Sequence, residues 1–149
     1  MATNNEIVTL DGPAGAGKSS TARALAEALG YRHLDTGAMY RVVTLACLRA
    51  GIRLQDDDAV GEFAKTVSFE LLDEGRVSLD GEDVTDAIRS AEVSAAVSVI
   101  AANRVVRDWL VELQREFGRK FPGIVAEGRD LAAVVFLSLI HISEPTRPY

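Results

Sequence analysis

Gly12-Pro13-Ala14-Gly15-Ala16-Gly17-Lys18-Ser19 is the segment from which the fold is most clearly predicted. Two glycines stand five positions apart and are followed by a lysine and a hydroxyl residue. The apolar run at 7–10 predicts a buried strand before this stretch, and apolar residues recur at helical spacing from Lys18 until Gly30. Strand, glycine-rich turn and helix, in that order, are the context in which this pattern binds phosphate. The sequence therefore predicts a P-loop within an α/β fold.

The predicted loop offers the groups that a nucleoside triphosphate requires. Its glycines let backbone N–H groups turn toward the β-phosphate, Lys18 reaches the β and γ oxygens, and the Ser19 hydroxyl can ligate Mg²⁺. The N-terminus of the following helix adds its positive dipole end to the same anion site. We therefore expect a nucleoside triphosphate and Mg²⁺ to bind here, although the loop alone fits a GTPase, an ATPase or a kinase. The predicted cofactor-binding residues are Gly12, Pro13, Ala14, Gly15, Ala16, Gly17, Lys18, Ser19 and Ser20.

Farther along the chain, the hydrophobic pattern alternates between strand and helix periods around one β-rich segment. Alternating residues at 67–71 and 76–79 predict a hairpin with one wet face, and 80–83 predicts a further turn. Ser90 is expected to cap the helix that follows. The other predicted elements are strands at 33–35 and 124–126 and helices at 38–50, 59–65, 93–101 and 106–117.

Length and charge restrict the class of protein. The 149 residues fit one domain with a single core, and the net charge of −6 disfavours nucleic acid as a partner. Cys47 is the only cysteine, which excludes an internal disulfide, and its apolar neighbours predict a buried thiol. The polar start predicts no signal peptide, and the longest apolar run, 131–142, is too short to span a bilayer. We expect a monomeric cytoplasmic protein without a membrane partner.

Several further motifs resemble those of bacterial cytidylate kinases, which are P-loop nucleoside monophosphate kinases. The two most specific are Asp35-Thr36-Gly37-Ala38-Met39-Tyr40-Arg41 and Asp80-Gly81-Glu82-Asp83-Val84-Thr85, because they separate this family from adenylate and guanylate kinases. Ile88-Arg89, Val106-Arg107 and Glu127-Gly128-Arg129-Asp130 follow in the family's order. The resemblance covers the chain from about residue 6 to residue 136.

The resemblance implies a P-loop NTPase-type parallel sheet flanked by helices, with a hairpin and helical insertion at about 66–102 that closes over the acceptor nucleotide. It implies transfer of the ATP γ-phosphate to CMP or dCMP, giving CDP or dCDP. Arginine suits such an acceptor because it binds phosphate oxygens bidentately and stays charged when desolvated. The implied catalytic residues are Lys18, Arg41 and Arg129. The implied acceptor-binding residues are Thr36, Arg41, Arg107, Arg129 and Asp130.

Simpler interpretations of these charged residues stay open at this point. Arg41 and Arg107 can each be solvated surface charges, the ordinary state of an isolated arginine. Arg129 follows a predicted strand and a glycine, where α/β sheets carry ligand-binding residues. Asp130 is expected to accept bonds from the sugar or the amino group, or to orient Arg129. Asp35 is either a turn former or a holder of magnesium-bound water.

Other functions also stay open. A different acceptor such as UMP or shikimate would make the protein another P-loop small-molecule kinase. A nucleotide-binding module without catalysis is a second class, although the Asn-Lys-x-Asp guanine motif of GTPases is absent from the sequence. His33, in an apolar strand, is expected to be structural, and Trp109 is expected to lie in the core.

The resemblance ends near Phe136. Residues 137–149 match nothing in the family, and we expect them to be an artefactual tail after a kinase core at 1–136. The family's arginine-rich lid and its last strand and helix would then be missing. On that basis we expect the 149-residue chain to have little kinase activity and low stability, since lid arginines of this kind contribute about 10³ or more to the rate.

Overall fold

The computed structural model describes residues 6–11 and 18–128, with the backbone alone described for Lys18 and Ser19. One parallel sheet, one small antiparallel sheet and five α-helices make up the described part. The predicted α/β fold is confirmed. The elements are β1 (Glu6–Asp11), α1 (Lys18–Leu29), β2 (Arg32–Asp35), α2 (Thr36–Arg49), α3 (Asp57–Ala64), β3 (Phe69–Leu71), β4 (Val77–Leu79), β5 (Glu82–Asp83), α4 (Ala91–Ala102), α5 (Arg104–Lys120) and β6 (Gly123–Gly128), with 3₁₀ turns at Asp73–Gly75 and Ala87–Arg89.

The parallel sheet has the order β1-β6-β2, so β6 is its central strand among the described residues. Ile124, Val125 and Ala126 of β6 are fully buried. Val125 packs against α1, whereas Ile124 and Ala126 belong to the cluster that includes α2 and α5. Successive side chains of a strand point to opposite faces, so this alternation places helices on both sides of the sheet.

The small antiparallel sheet has the order β3-β4-β5 and lies in the segment predicted as an insertion. The predicted hairpin is confirmed, because Phe69 pairs with Leu79. The predicted turn at 80–83 is wrong in its second half. The turn is confined to Asp80 and Gly81, whose φ angles are 50° and 85°, and the chain then returns as β5. Two residues at positive φ form the tight hairpin turn that matches the twist of the flanking strands.

Side-chain caps decide where the helices begin. α2 begins two residues before its predicted start, because an Asp35 carboxylate oxygen accepts the Ala38 N–H at 3.0 Å. Asp56 caps α3 in the same way, which places the start of that helix at Asp57. The predicted Ser90 cap of α4 is confirmed. Asn103 caps α5 and so separates two helices that are adjacent in sequence.

Cys47 and Trp109 both contribute to the main core cluster. Cys47 is fully buried, and burial raises the pKa of its thiol to about 11, which confirms the predicted buried thiol. Trp109 is partly buried, packs against the main core cluster and meets the Phe69 ring edge-on at 6.4 Å between ring centroids.

Gly123 is required where β6 begins beside Tyr31. A Cβ atom at Gly123 would lie 2.5 Å from the Tyr31 ring. We expect Gly123→Ala to lower the free energy of unfolding by about 1–3 kcal/mol, as overpacking of a close contact does. Urea denaturation measures this loss. Gly123→Ala combined with Tyr31→Ala forms a double-mutant cycle, and strictly additive effects of the two substitutions would contradict the proposed clash.

Candidate functional site

The candidate site lies at the edge of the parallel sheet where three strands end. β1 ends at Asp11, directly before the predicted P-loop, and β6 ends at Gly128, directly before Arg129. Asp11 is paired with Gly128, and Asp35 at the end of β2 is paired with Glu127. Since neighbouring strands lie ~4.8 Å apart, the ends of β1 and β2 are about 10 Å apart across β6. Ligands of α/β proteins bind at this edge.

Thr36 joins the first residue of α2 to the end of the central strand. It is 4% exposed, and its Oγ1 donates a hydrogen bond of 2.8 Å to the backbone carbonyl of Glu127. A threonine hydroxyl has one proton, which this bond uses, and its oxygen can still accept bonds. The predicted acceptor residue Thr36 is therefore fixed at the sheet edge.

The carboxylates of Asp35 and Glu127 and the ring of His33 lie near one another and near Thr36. His33 Nε2 and Glu127 Oε2 are 2.5 Å apart, and these side chains are 13% and 5% exposed. Asp35 caps α2, and its other carboxylate oxygen lies 3.9 Å from an Arg89 nitrogen. Burial raises the pKa of Asp35, and the nearby Glu127 carboxylate raises it further, against the opposing effect of the Ala38 N–H. Asp35 thus has the capping role of a turn former, and His33 has a buried partner.

Arg41 bridges α2 to the segment predicted as the acceptor insertion. Its Nη1 donates to the Ile88 carbonyl at 3.0 Å and to Ser94 Oγ at 2.9 Å. The side chain is half-buried. These two hydrogen bonds hold the Arg41 guanidinium in one orientation. Arg41 is therefore not the solvated surface charge that its sequence context alone also allowed.

Arg107 lies on the first turn of α5 and is exposed. Burial raises the pKa of the Tyr40 hydroxyl, and the positive charge of Arg107 opposes that rise. Arg107 is thus close enough to Tyr40 to act on it electrostatically, and Tyr40 directly precedes Arg41 on α2. Three of the predicted acceptor residues, Thr36, Arg41 and Arg107, therefore lie on α2 or beside it.

The remaining predicted site residues are described in part or not at all. Gly12, Pro13, Ala14, Gly15, Ala16 and Gly17 lie outside the described residues, as do Arg129 and Asp130. Lys18, Ser19 and Ser20 form the first turn of α1, and the Ser20 side chain is exposed. The N-terminus of α1 follows the predicted loop, as the P-loop prediction requires.

Sequence reasoning did not assign roles to four residues that contribute to this edge: Glu127, Arg89, Tyr40 and Ser94. Glu127, Arg89 and Tyr40 each lie within a motif that resembles the family, and that was the available signal. No signal linked His33 to Glu127, because their contact depends on how β2 and β6 align. None linked Ser94 to Arg41, which is 53 positions away in sequence.

A helix-flanked parallel sheet with a GxxxxGKS sequence that runs from the end of its first strand into its first helix defines the class: a P-loop α/β protein. The comparisons with known proteins then give the family. The sequence model named cytidylate kinase matches residues 8–139, and the chain belongs to the cytidylate kinase family.

Curated relatives support this assignment. The cytidylate kinase of Chlorobaculum tepidum is 48% identical over 146 residues, covering 93% of this chain and 61% of that protein. That of Mycobacterium leprae is 52% identical over 129 residues, covering 87% of this chain and 57% of that protein. That of Limosilactobacillus fermentum is 50% identical over 130 residues, covering 86% and 57%. The chain thus spans about three fifths of the length of these relatives.

No helix within residues 6–11 and 18–128 combines the length and the apolar character that crossing a bilayer requires.

Proposed function

We propose that the whole kinase represented by this chain transfers the γ-phosphate of ATP to CMP or dCMP, giving ADP and CDP or dCDP. One observation carries the proposal: the register of β1, β6 and β2 brings Asp11, which directly precedes the phosphate-loop sequence, and Asp35, which directly precedes the buried Thr36, to the same edge of the sheet, about 10 Å apart. In-line transfer requires the reacting donor and acceptor atoms to approach to about 3–3.5 Å, and two phosphates bound between these strand ends would be neighbours. The family assignment supports the identity of the two nucleotides.

On the donor side, we assign ATP to Gly12–Ser20 and Mg²⁺ to the Ser19 hydroxyl. Lys18 would neutralise charge on the transferring phosphoryl group, and backbone amides would hold the β-phosphate. The position of the α1 N-terminus supports this assignment, since a helix begins at Lys18 immediately after the loop sequence. When bound, Mg²⁺ supplies further neutralisation of the phosphate oxygens.

On the acceptor side, we assign Thr36, Arg41, Arg107, Arg129 and Asp130 to CMP or dCMP. The fixed hydroxyl of Thr36 and the oriented guanidinium of Arg41 support the assignment. Arg129 directly follows the central strand, and its charge would counter the repulsion between two anions that must approach each other. The attacking phosphate oxygen is already ionised, so the reaction needs no general base.

The proposal extends to the organisation of the protein. Residues 1–136 form the kinase core, 66–102 form the acceptor insertion, and the tail at 137–149 stands outside the family domain except for 137–139, which the family model also matches. The protein acts as a cytoplasmic monomer on small molecules, with neither nucleic acid nor a membrane as partner.

Calorimetry with CMP, UMP and AMP on the 149-residue chain tests the acceptor assignment. We expect CMP to bind, and to bind tighter than the other two nucleotides. Equal binding of all three would favour a kinase with another acceptor. Binding of ATP alone, with no heat from any monophosphate, would favour a nucleotide-binding module without catalysis and contradict the proposal.

Arg107→Ala is expected to weaken CMP binding by about 10- to 100-fold, because a charge-assisted bond to phosphate is lost. Cytidine, which lacks the phosphate, should bind the variant and the unsubstituted chain alike. Arg104→Ala is the matched control, since Arg104 is exposed on the same turn of α5. Equal CMP affinity in the Arg107→Ala and Arg104→Ala variants would contradict the assignment of Arg107 to the acceptor phosphate.

A further inference from the structure

Arg41 makes two hydrogen bonds through a single nitrogen. Both bonds start at Nη1, one to the Ile88 carbonyl at 3.0 Å and one to Ser94 Oγ at 2.9 Å. Nη1 of a guanidinium has two hydrogens, so these two acceptors use both of them. The edge formed by Nε and Nη2 retains three N–H donors in a planar fork, which is the geometry that binds two phosphate oxygens at once.

The two acceptors come from different kinds of structure. Ile88 offers a backbone carbonyl in the 3₁₀ turn Ala87–Arg89, which any residue at that position would supply. Ser94 offers a side-chain oxygen on the first turn of α4, so its contribution depends on the residue type. The Ser90 side chain caps the same turn, which fixes the backbone that carries Ser94.

We infer that Ser94 is a positioning residue that orients the Arg41 guanidinium toward the acceptor phosphate. The inference rests on the proposed function, since it takes Arg41 as a phosphate ligand. A guanidinium held by the Ile88 carbonyl alone can rotate about that single contact. With Ser94 as a second contact, the plane of the guanidinium is fixed and its open edge is set before the acceptor arrives, which lowers the entropy cost of binding.

The same contact joins the core to the insertion. Arg41 lies on α2, whereas Ile88 and Ser94 lie in the segment 66–102 assigned to acceptor binding. An acceptor phosphate on the open edge of Arg41 would therefore be held by a group whose orientation depends on the insertion.

Ser94→Ala is expected to weaken CMP binding about tenfold and to leave cytidine binding unchanged. Ser94→Thr keeps a hydroxyl and should restore CMP affinity to within about twofold of the unsubstituted chain. If helix stability alone decided CMP affinity, Ser94→Ala would bind CMP at least as well as Ser94→Thr, because alanine stabilises a helix more than serine or threonine does. Ser68→Ala, at an exposed position before β3, controls for loss of a serine elsewhere in the insertion.

Nuclear magnetic resonance of the Arg41 guanidinium tests the orientation without a nucleotide. Separate Nη1 proton signals are expected in the unsubstituted chain and in Ser94→Thr, and averaged signals in Ser94→Ala. Calorimetry on the same samples gives the CMP affinities, and backbone spectra verify the fold of each variant.

Equal CMP affinity in Ser94→Ala and the unsubstituted chain would overturn the inference while leaving the proposed function intact. Parallel loss of CMP and cytidine binding in Ser94→Ala would also overturn it, because a general structural defect would then explain the change. Failure of the unsubstituted chain to bind CMP is a different result, which would overturn the proposed function and this inference together.

Discussion

Glu127→Ala is expected to lower the free energy of unfolding by about 2–3 kcal/mol, a large part of the ~5–15 kcal/mol that stabilises a typical domain. The carboxylate lies 2.5 Å from His33 Nε2, and both side chains are almost completely shielded from water. Removing it leaves the His33 ring without this partner and opens a void beside the central strand. Urea denaturation followed by circular dichroism measures the loss.

Glu127→Gln separates the hydrogen bond from the charge. Glutamine keeps the shape of the side chain and an oxygen that His33 can bond. It also removes the negative charge that raises the pKa of Asp35, which favours the ionised Asp35 cap on α2. We therefore expect Glu127→Gln to cost less than about 1 kcal/mol. A loss as large as that of Glu127→Ala would mean that charge, rather than hydrogen bonding and packing, dominates this contact.

Lys18→Ala is expected to lower the rate of phosphoryl transfer by about 10²- to 10³-fold, the usual effect of removing one group that stabilises transition-state charge. The rate is measured in a hybrid protein, in which residues 1–136 of this chain are followed by the C-terminal part of the Chlorobaculum tepidum relative. That relative is 48% identical to this chain, and this chain covers 61% of its length. The hybrid therefore supplies the part of the family domain that lies beyond the matched residues.

The control for Lys18 is Lys65→Ala, which removes an exposed lysine at the end of α3. It should leave the rate within about twofold, as exposed substitutions away from a site usually do. CMP affinity should be the same in both variants, because Lys18 is assigned to the triphosphate and not to the acceptor. Undiminished turnover of the Lys18→Ala hybrid would contradict the assignment of Lys18 to the transferring phosphoryl group.

Local signals made much of the fold predictable. The apolar run before Gly12 and the helical spacing after Lys18 predicted β1 and α1, and the φ of 71° at Gly30 shows why α1 ends there. Ser90 as a cap and the hairpin around residues 73–75 were likewise predictable, because each depends on residues within one turn of the chain.

Contacts between distant residues limited the prediction of the site. The resemblance predicts Thr36, Arg41 and Arg107 as acceptor-binding residues, but it does not predict their hydrogen-bond partners. The Thr36 bond to the Glu127 carbonyl requires the alignment of β2 with β6, and the Arg41 bond to Ser94 requires the packing of α2 against α4. Side-chain types at these positions do not specify such alignments, which follow from the assembled core.

The sequence also failed to predict β5, although β5 begins only three residues after the end of its partner strand β4. Asp80-Gly81-Glu82-Asp83 is polar throughout, so its composition favoured a turn over all four residues. Backbone pairing of Glu82 and Asp83 with β4 overrides that preference, since strand pairing needs no apolar side chains at an exposed edge.

Turnover of the hybrid protein with different acceptors tests whether a triphosphate and a cytidine monophosphate meet at the edge of the parallel sheet where its strands end. ADP release is followed by a coupled assay with CMP, dCMP, UMP, AMP or no acceptor. We expect ADP release that depends on CMP or dCMP and is far slower with AMP or without an acceptor. ADP release at the same rate with and without CMP, from a hybrid verified to be folded, would contradict it.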